Sequence, residues 1–205
     1  MEPEALVQRC QAGDKEAFRE LFRMHRADVT RLVHRLLSGS SDVEDVVQEV
    51  FLQVHKSLKD FRFGSRFSTW LYRVAVNVVL MHRRSARSRP VFVDAQDTPT
   101  PRDPALLPDE QAARSRRVEA LFRLLNRLSD KKRAVFILHE LEGFSPSEIA
   151  SIVGAPGLTV RTRLFYARRE LAQLLSEEPA LARLASELEL SPGLANGARP
   201  HKEPA

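Results

Sequence analysis

A chain of 205 residues has room for one large domain or two small ones, and its 43% hydrophobic and 29% charged content fits a globular protein. The formal net charge of +5 favours a polyanionic partner without naming one. One cysteine, Cys10, excludes an intrachain disulfide and a cysteine-rich metal site, and no apolar run is long enough to cross a bilayer.

The N-terminal stretch MEPEALVQRC lacks the basic-then-apolar pattern of a signal peptide, so the expected location is cytoplasmic, without membrane insertion. Cys10 lies in an amphipathic opening segment and reads as a small half-buried hydrophobe. Residues 14–37 then repeat Phe18, Leu21, Phe22, His25, Val29, Leu32, Val33 and Leu36 at helical spacing, with Asp14 placed to cap the start. Ser38 to Ser41, with Gly39, break that helix.

A second helix carries Val46, Val47, Val50, Phe51, Val54 and Leu58 inward, with Asp42, Glu44 and Asp45 at its electropositive start. Asp45, Gln48 and Glu49 share an outward face. Such a face is ordinarily just solvated, but in a basic protein it also suits a cationic protein partner.

After the loop DFRFGSRFS comes FSTWLYRVAVNVVLMHRR, with Phe67, Leu71, Val74, Val78 and Met81 as the expected buried face. A second stripe, Arg66, Trp70, Arg73, Asn77 and Arg84, follows at spacings of four, three, four and seven, and the helix ends in a basic cluster that includes Arg83. Cations hold phosphates, aromatic faces stack on unpaired bases, and an asparagine amide can read the edge of an extruded base. These are the parts of a grip on single-stranded DNA, with Phe61 and Phe63 of the loop beside it. Trp70 can equally complete the core, and Asn77 can be solvated or bonded internally.

From Ser85 to Asp109 the apolar residues lose their period and five of the twelve prolines gather, the composition of a flexible linker. Helical patterns resume near Gln111: Val118, Leu121, Phe122, Leu125 and Leu128 mark one helix, and Val135, Phe136, Leu138 and Leu141 the next, with Gly143 as a stop. SPSE places Ser145 as cap, Pro146 at the first helical position and Glu148 at the third, a capping-box signature. A short helix through Ile149, Ile152 and Val153 ends at GAPG, and a last helix is expected from about Thr159 to Leu175.

Two helices across a tight turn make a helix-turn-helix. In the last helix Arg161, Phe165 and Arg168 form an outward stripe flanked by Thr162, Tyr166 and Arg169, residue types that can contact base edges and thymine methyls in a major groove. A surface helix charged for solubility would look similar. The expected fold is therefore all-α: two small helical domains, 1–84 and 111–176, a flexible proline-rich linker over 85–110, and a partly disordered tail over 177–205.

No enzyme signal emerges. There is no phosphate-cradling glycine loop, HELEG lacks the second histidine of a zinc-protease motif, and no nucleophile can be paired with a base. No catalytic residue, metal or cofactor is expected.

Two stretches together resemble the bacterial sigma-70 family, in its extracytoplasmic-function (ECF) group. DVEDVVQEVFLQVHKSLKDFRFGSRFSTWLYRVAVNVVLMHRR is similar to the second conserved region of these RNA polymerase factors. LNRLSDKKRAVFILHELEGFSPSEIASIVGAPGLTVRTRLFYARREL is similar to the fourth. The resemblance implies a transcription initiation factor that binds core RNA polymerase and directs it to promoter DNA.

On this basis Asp45, Gln48 and Glu49 would dock on the clamp helices of the largest subunit. Phe61 and Asn77 would receive a base flipped from the −10 element, Trp70 would stand near the strand-separation point, and Arg66, Arg73, Arg83 and Arg84 would line the same DNA. Arg161, Thr162, Phe165, Tyr166, Arg168 and Arg169 would read the −35 duplex. The linker, with Asp94, Asp97 and Asp103, would thread the polymerase between the two sites, and an anti-sigma factor is a further expected partner.

One departure is Pro156-Gly157-Leu158-Thr159 where the family has glycine directly before the threonine, which moves the expected helix start. The alternative is a stand-alone helix-turn-helix regulator, which has no need of the acidic DVEDVVQEVF face. An adaptor that binds only protein would leave Arg161, Phe165 and Arg168 unexplained.

Overall fold

The computed structural model of the chain describes residues 3–38, 40–88, 109–178 and 181. Residues 89–108 of the expected linker, with Asp94, Asp97 and Asp103, and 182–205 of the expected tail lie outside them. The chain divides into two compact units, and among the described residues every regular element is helical.

The first unit holds α1 (Pro3–Gln11), α2 (Lys15–Leu37), α3 (Val43–Ser57) and α4 (Phe67–Ser88). α2 begins where the sequence placed it: Asp14 accepts hydrogen bonds from the backbone N–H groups of Glu16 and Ala17, satisfying donors that the helix itself cannot. Burial and the Asp14 carboxylate push the Cys10 thiol up, so it behaves as the inert apolar residue expected.

α2, α3 and α4 pack against one another pairwise, and α1 lies on α2. Their core is the aliphatic layer of Val29, Leu32, Val33, Val46, Val50, Val54, Leu71, Ala75, Val76 and Val79. Asp42, at the start of α3, is hydrogen-bonded to His82 Nε2 near the end of α4 at 3.0 Å.

α4 differs from the sequence expectation in two ways. It runs to Ser88, four residues past the expected domain edge. Met81, expected inside, is 67% exposed, and Val74 is only half-buried. Because α2 and α3 both cover α4, its buried arc is broad and centres on Leu71, Ala75, Val76 and Val79, and Met81 falls beyond its edge.

The second unit holds α5 (Asp109–Arg127), α6 (Asp130–Phe136) running on into a π-helical turn (Ile137–Leu141), α7 (Pro146–Val153) and α8 (Gly157–Ser176). α5 turns Ala120, Leu124 and Leu125 inward, with Leu128 buried just past its end, so Val118, expected in the core, stands 45% exposed. Arg133 of α6 is 1% exposed, its guanidinium bonded to Asp130 Oδ1 at 2.6 Å and to the Asn126 amide oxygen.

The capping box of α7 is complete: Ser145 Oγ accepts from the Glu148 N–H, and the Ser145 N–H donates to Glu148 Oε2 at 2.8 Å. Gly154 closes α7 in the left-handed region (φ 62°), where a side chain would be strained. Ala155 and Pro156 follow, and α8 starts at Gly157, two residues before Thr159. Its first bond runs from the Val160 N–H to the Pro156 carbonyl, which the extended ψ of Pro156 (143°) aims into the helix.

Candidate nucleic-acid interface

On α3 the core takes Val46, Val47, Val50, Phe51 and Val54, which leaves Asp45, Gln48 and Glu49 together on the exposed side. Leu52 stands 54% exposed on the same arc, one turn after Gln48. The sequence reading passed over it, although Leu52 is the one large aliphatic residue of the helix that does not fit the inward period.

The loop after α3 is braced from behind. Gln11 Nε2, at the end of α1, donates to the carbonyls of Leu58 at 2.9 Å and Phe61 at 2.8 Å. Nothing in the sequence pairs residues so far apart, so Gln11 was missed. Phe63 adopts a left-handed backbone (φ 55°), a conformation that costs a non-glycine residue about 1 kcal/mol or more and clusters at functional loops.

Phe61 is 6% exposed and sits in an aromatic cluster, 5.3 Å from the Trp70 ring, 4.9 Å from Phe63 and 5.9 Å from Phe67 by ring centroids. Trp70 is half-buried, so it packs on the core and still presents part of its indole. Arg66, Arg73, Asn77 and Arg84 are all exposed. Asn77 therefore faces solvent and has no need of an internal partner. At 100° per residue, Arg66, Trp70, Arg73, Asn77 and Arg84 fall within an arc of about 60°. Arg83 lies on another side of the helix, half-buried, and donates to the Leu36 carbonyl at 3.5 Å.

In the second unit, Arg161, Thr162, Phe165, Tyr166 and Arg169 are exposed on α8, with Phe165 at 59% and Tyr166 at 50%, their rings edge to face at 5.3 Å. Leu158, 72% exposed, extends this patch toward the helix N-terminus. The Thr162 hydroxyl donates to the Leu158 carbonyl at 2.9 Å, which leaves its methyl as the group available to a ligand. Arg168 is half-buried and held by Glu140 of the π-helical turn, at 2.7 Å from Nε and 2.6 Å from the terminal nitrogen. It acts as a strut that fixes the face of α8.

Burial alone would raise the Glu140 carboxyl. The neighbouring His139 ring and the Arg168 guanidinium outweigh it and hold Glu140 below its ordinary value of 4.5. A carboxyl depressed on folding stabilises the folded state above its unfolded pKa and loses that contribution as pH falls through the folded one. The thermal stability gap between wild type and Glu140→Gln should thus be full at neutral pH and shrink as acid is added below 4.5. A gap that stays constant down to strongly acidic pH would show that the pair does not stabilise the fold.

A groove of about 1000 Å³ along α2, lined by Phe18, Phe22, Arg19, Arg26 and Arg31 among others, coincides with none of these faces. Three of its arginines are paired locally, Arg19 with Glu16, Arg26 with Glu44 and Arg31 with Asp28. Among the described residues no cluster of His, Cys, Asp and Glu is placed to hold a metal, and no helix is long and apolar enough to cross a membrane.

Two helical units, one with an exposed cation–aromatic–amide stripe and one with a helix-turn-helix, define a DNA-binding protein. Residues 21–89 match Sigma-70 region 2, and residues 118–171 match Sigma-70, region 4. The ECF RNA polymerase sigma-E factor of Haemophilus influenzae is 36% identical over 172 residues, spanning 80% of this chain and 90% of that protein. That of Escherichia coli K12 is 36% identical over 175 residues, spanning 82% and 91%. The solved structure of CnrH in complex with the cytosolic domain of CnrY is similar at a TM-score of 0.61 and 25% identity, covering 85% of this chain and 97% of that one. The chain belongs to the ECF group of the sigma-70 family.

Proposed function

We propose that this sigma factor starts transcription through three faces with separate tasks. The exposed face of α3, Asp45, Gln48 and Glu49 with Leu52 at its C-terminal end, docks on core RNA polymerase. Acidic groups beside one exposed apolar anchor suit a protein contact rather than a DNA contact. The α4 stripe and the braced aromatic loop hold melted −10 DNA: Arg66, Arg73 and Arg84 take phosphates, Trp70 and the Phe61–Phe63 pair offer ring faces, and Asn77 reads a base edge. The exposed face of α8 reads −35 duplex through Arg161, Phe165, Tyr166, the Thr162 methyl and Arg169, with Arg168 positioning the helix and Arg83 doing the same for α4.

The observation that carries this reading is the division of α4 into a buried arc and a continuous exposed stripe of cations, indole and amide. The action is binding, not catalysis, with residues 85–110 joining the DNA-reading domains 1–84 and 111–176. The protein works in the cytoplasm, where its polymerase and promoter DNA are, and is held there by an anti-sigma factor.

Size-exclusion chromatography with bacterial core polymerase tests the docking face. Wild type should co-elute with core, and Glu49→Lys, which reverses an exposed charge without touching the core packing, should weaken that association about tenfold or more. No co-elution of wild type, with duplex DNA still bound in a salt-sensitive manner, would favour a stand-alone helix-turn-helix regulator.

A further inference from the structure

The residue that departs most from the sequence expectation lies on the DNA-facing stripe. Met81 is 67% exposed. At 100° per residue it lies about 40° from Asn77 and 20° from Trp70 around the α4 axis, one turn beyond Asn77 and one short of Arg84. Apart from Met81, every member of this arc is cationic, polar or aromatic. An unbranched apolar side chain held mostly in water there gains little from the protein's own packing.

The order of chemistry along α4 gives it a task. At the N-terminal end, the half-buried Phe63 and Trp70, backed by the buried Phe61, offer ring faces suited to unpaired bases. Next comes the Asn77 amide, suited to a base edge. At the far end, Arg84 offers a cation suited to phosphate, with no aromatic neighbour. The groups suited to unpaired bases thus end at Asn77, beyond which the stripe offers only a cation, and Met81 stands at that edge. Met81 lies about 6 Å along the axis from Asn77, close to two nucleotides at about 3.4 Å each. Apolar side chains, methionine among them, part base steps by inserting between them.

We propose that Met81 is a wedge residue, inserting at the upstream edge of the melted promoter segment and holding the last duplex pair apart from the bases that Asn77 and the aromatic loop capture. This rests on the assignment of the α4 stripe to −10 DNA. Met81 is a positioning residue for strand opening, distinct from the groups that read bases.

The test uses the full-length protein, bacterial core polymerase and the fragment that wild type initiates on most strongly from a randomised promoter library, carrying 2-aminopurine in its melted segment. Opening of the intact duplex is compared with binding to the same fragment premelted over that segment. Met81→Ala should open the duplex about tenfold more slowly or worse, since an unstacked step is left unfilled, yet bind the premelted fragment within about twofold of wild type. Met81→Leu, which restores apolar bulk, should recover most of the opening rate. Wild-type opening by Met81→Ala, or an equal loss on duplex and premelted DNA, overturns the wedge while leaving the promoter reading intact. Failure of wild type to open any fragment overturns the promoter reading and the wedge together.

Discussion

Arg133→Ala is expected to lower the stability of the second unit by about 3–5 kcal/mol, the usual consequence of removing one partner from a buried ion pair. The guanidinium is 1% exposed and bonded to both Asp130 and Asn126, so its loss leaves a cavity in the core and strips the half-buried Asp130 carboxylate of its partner. For a unit of this size each kcal/mol shifts the melting midpoint by about 4–8 °C, so its calorimetric transition should fall by well over 10 °C and duplex binding should go with it. A shift below about 4 °C would mean that Arg133 is not part of the fold's support.

Asn77→Ala should do the opposite: impair promoter opening and spare stability. Asn77 is exposed, and surface substitutions of this kind stay within about 0.5 kcal/mol. A base-reading contact is worth about 1–3 kcal/mol, so promoter opening should drop about 10- to 100-fold in transcription assays while the melting curve and core-polymerase binding remain those of wild type. Unchanged opening would remove Asn77 from the DNA site, and a large loss of thermal stability would make it structural.

The contrast between these residues shows what the sequence could convey. Short-range chemistry was legible: Asp14 and Ser145 cap the helices they precede because a cap and its donors lie within three residues of each other. The α4 stripe was legible for the same reason, since helical spacing puts its members on one arc.

Arg133 was not legible. In SDKKRAVF it reads as one of three cations in an exposed first turn, and only the packing of α8 on α6 and the bond to Asn126 make it the largest fully buried side chain among the described residues of its unit. The ion pair of Arg168 was not legible either, because its partner, Glu140, lies 28 residues away on a π-helical turn that the pattern of α6 does not announce. Met81 was misplaced by its apolarity. Identity alone cannot say whether an apolar residue at the edge of a helical face is covered, and that is settled by where α2 and α3 end against α4. Phe61, expected to receive a base, lies almost wholly inside the aromatic cluster, so what it can present to DNA depends on its neighbours Phe63 and Trp70.

The most direct measurement of the central claim is transcription in vitro. Purified protein and bacterial core polymerase are mixed with a library of promoter fragments, and each component is omitted in turn. Specific initiation that requires both proteins, from fragments sharing upstream duplex and downstream melted elements, is the predicted result. Duplex binding by the protein alone, with no association with core and no initiation from any fragment, would contradict the account.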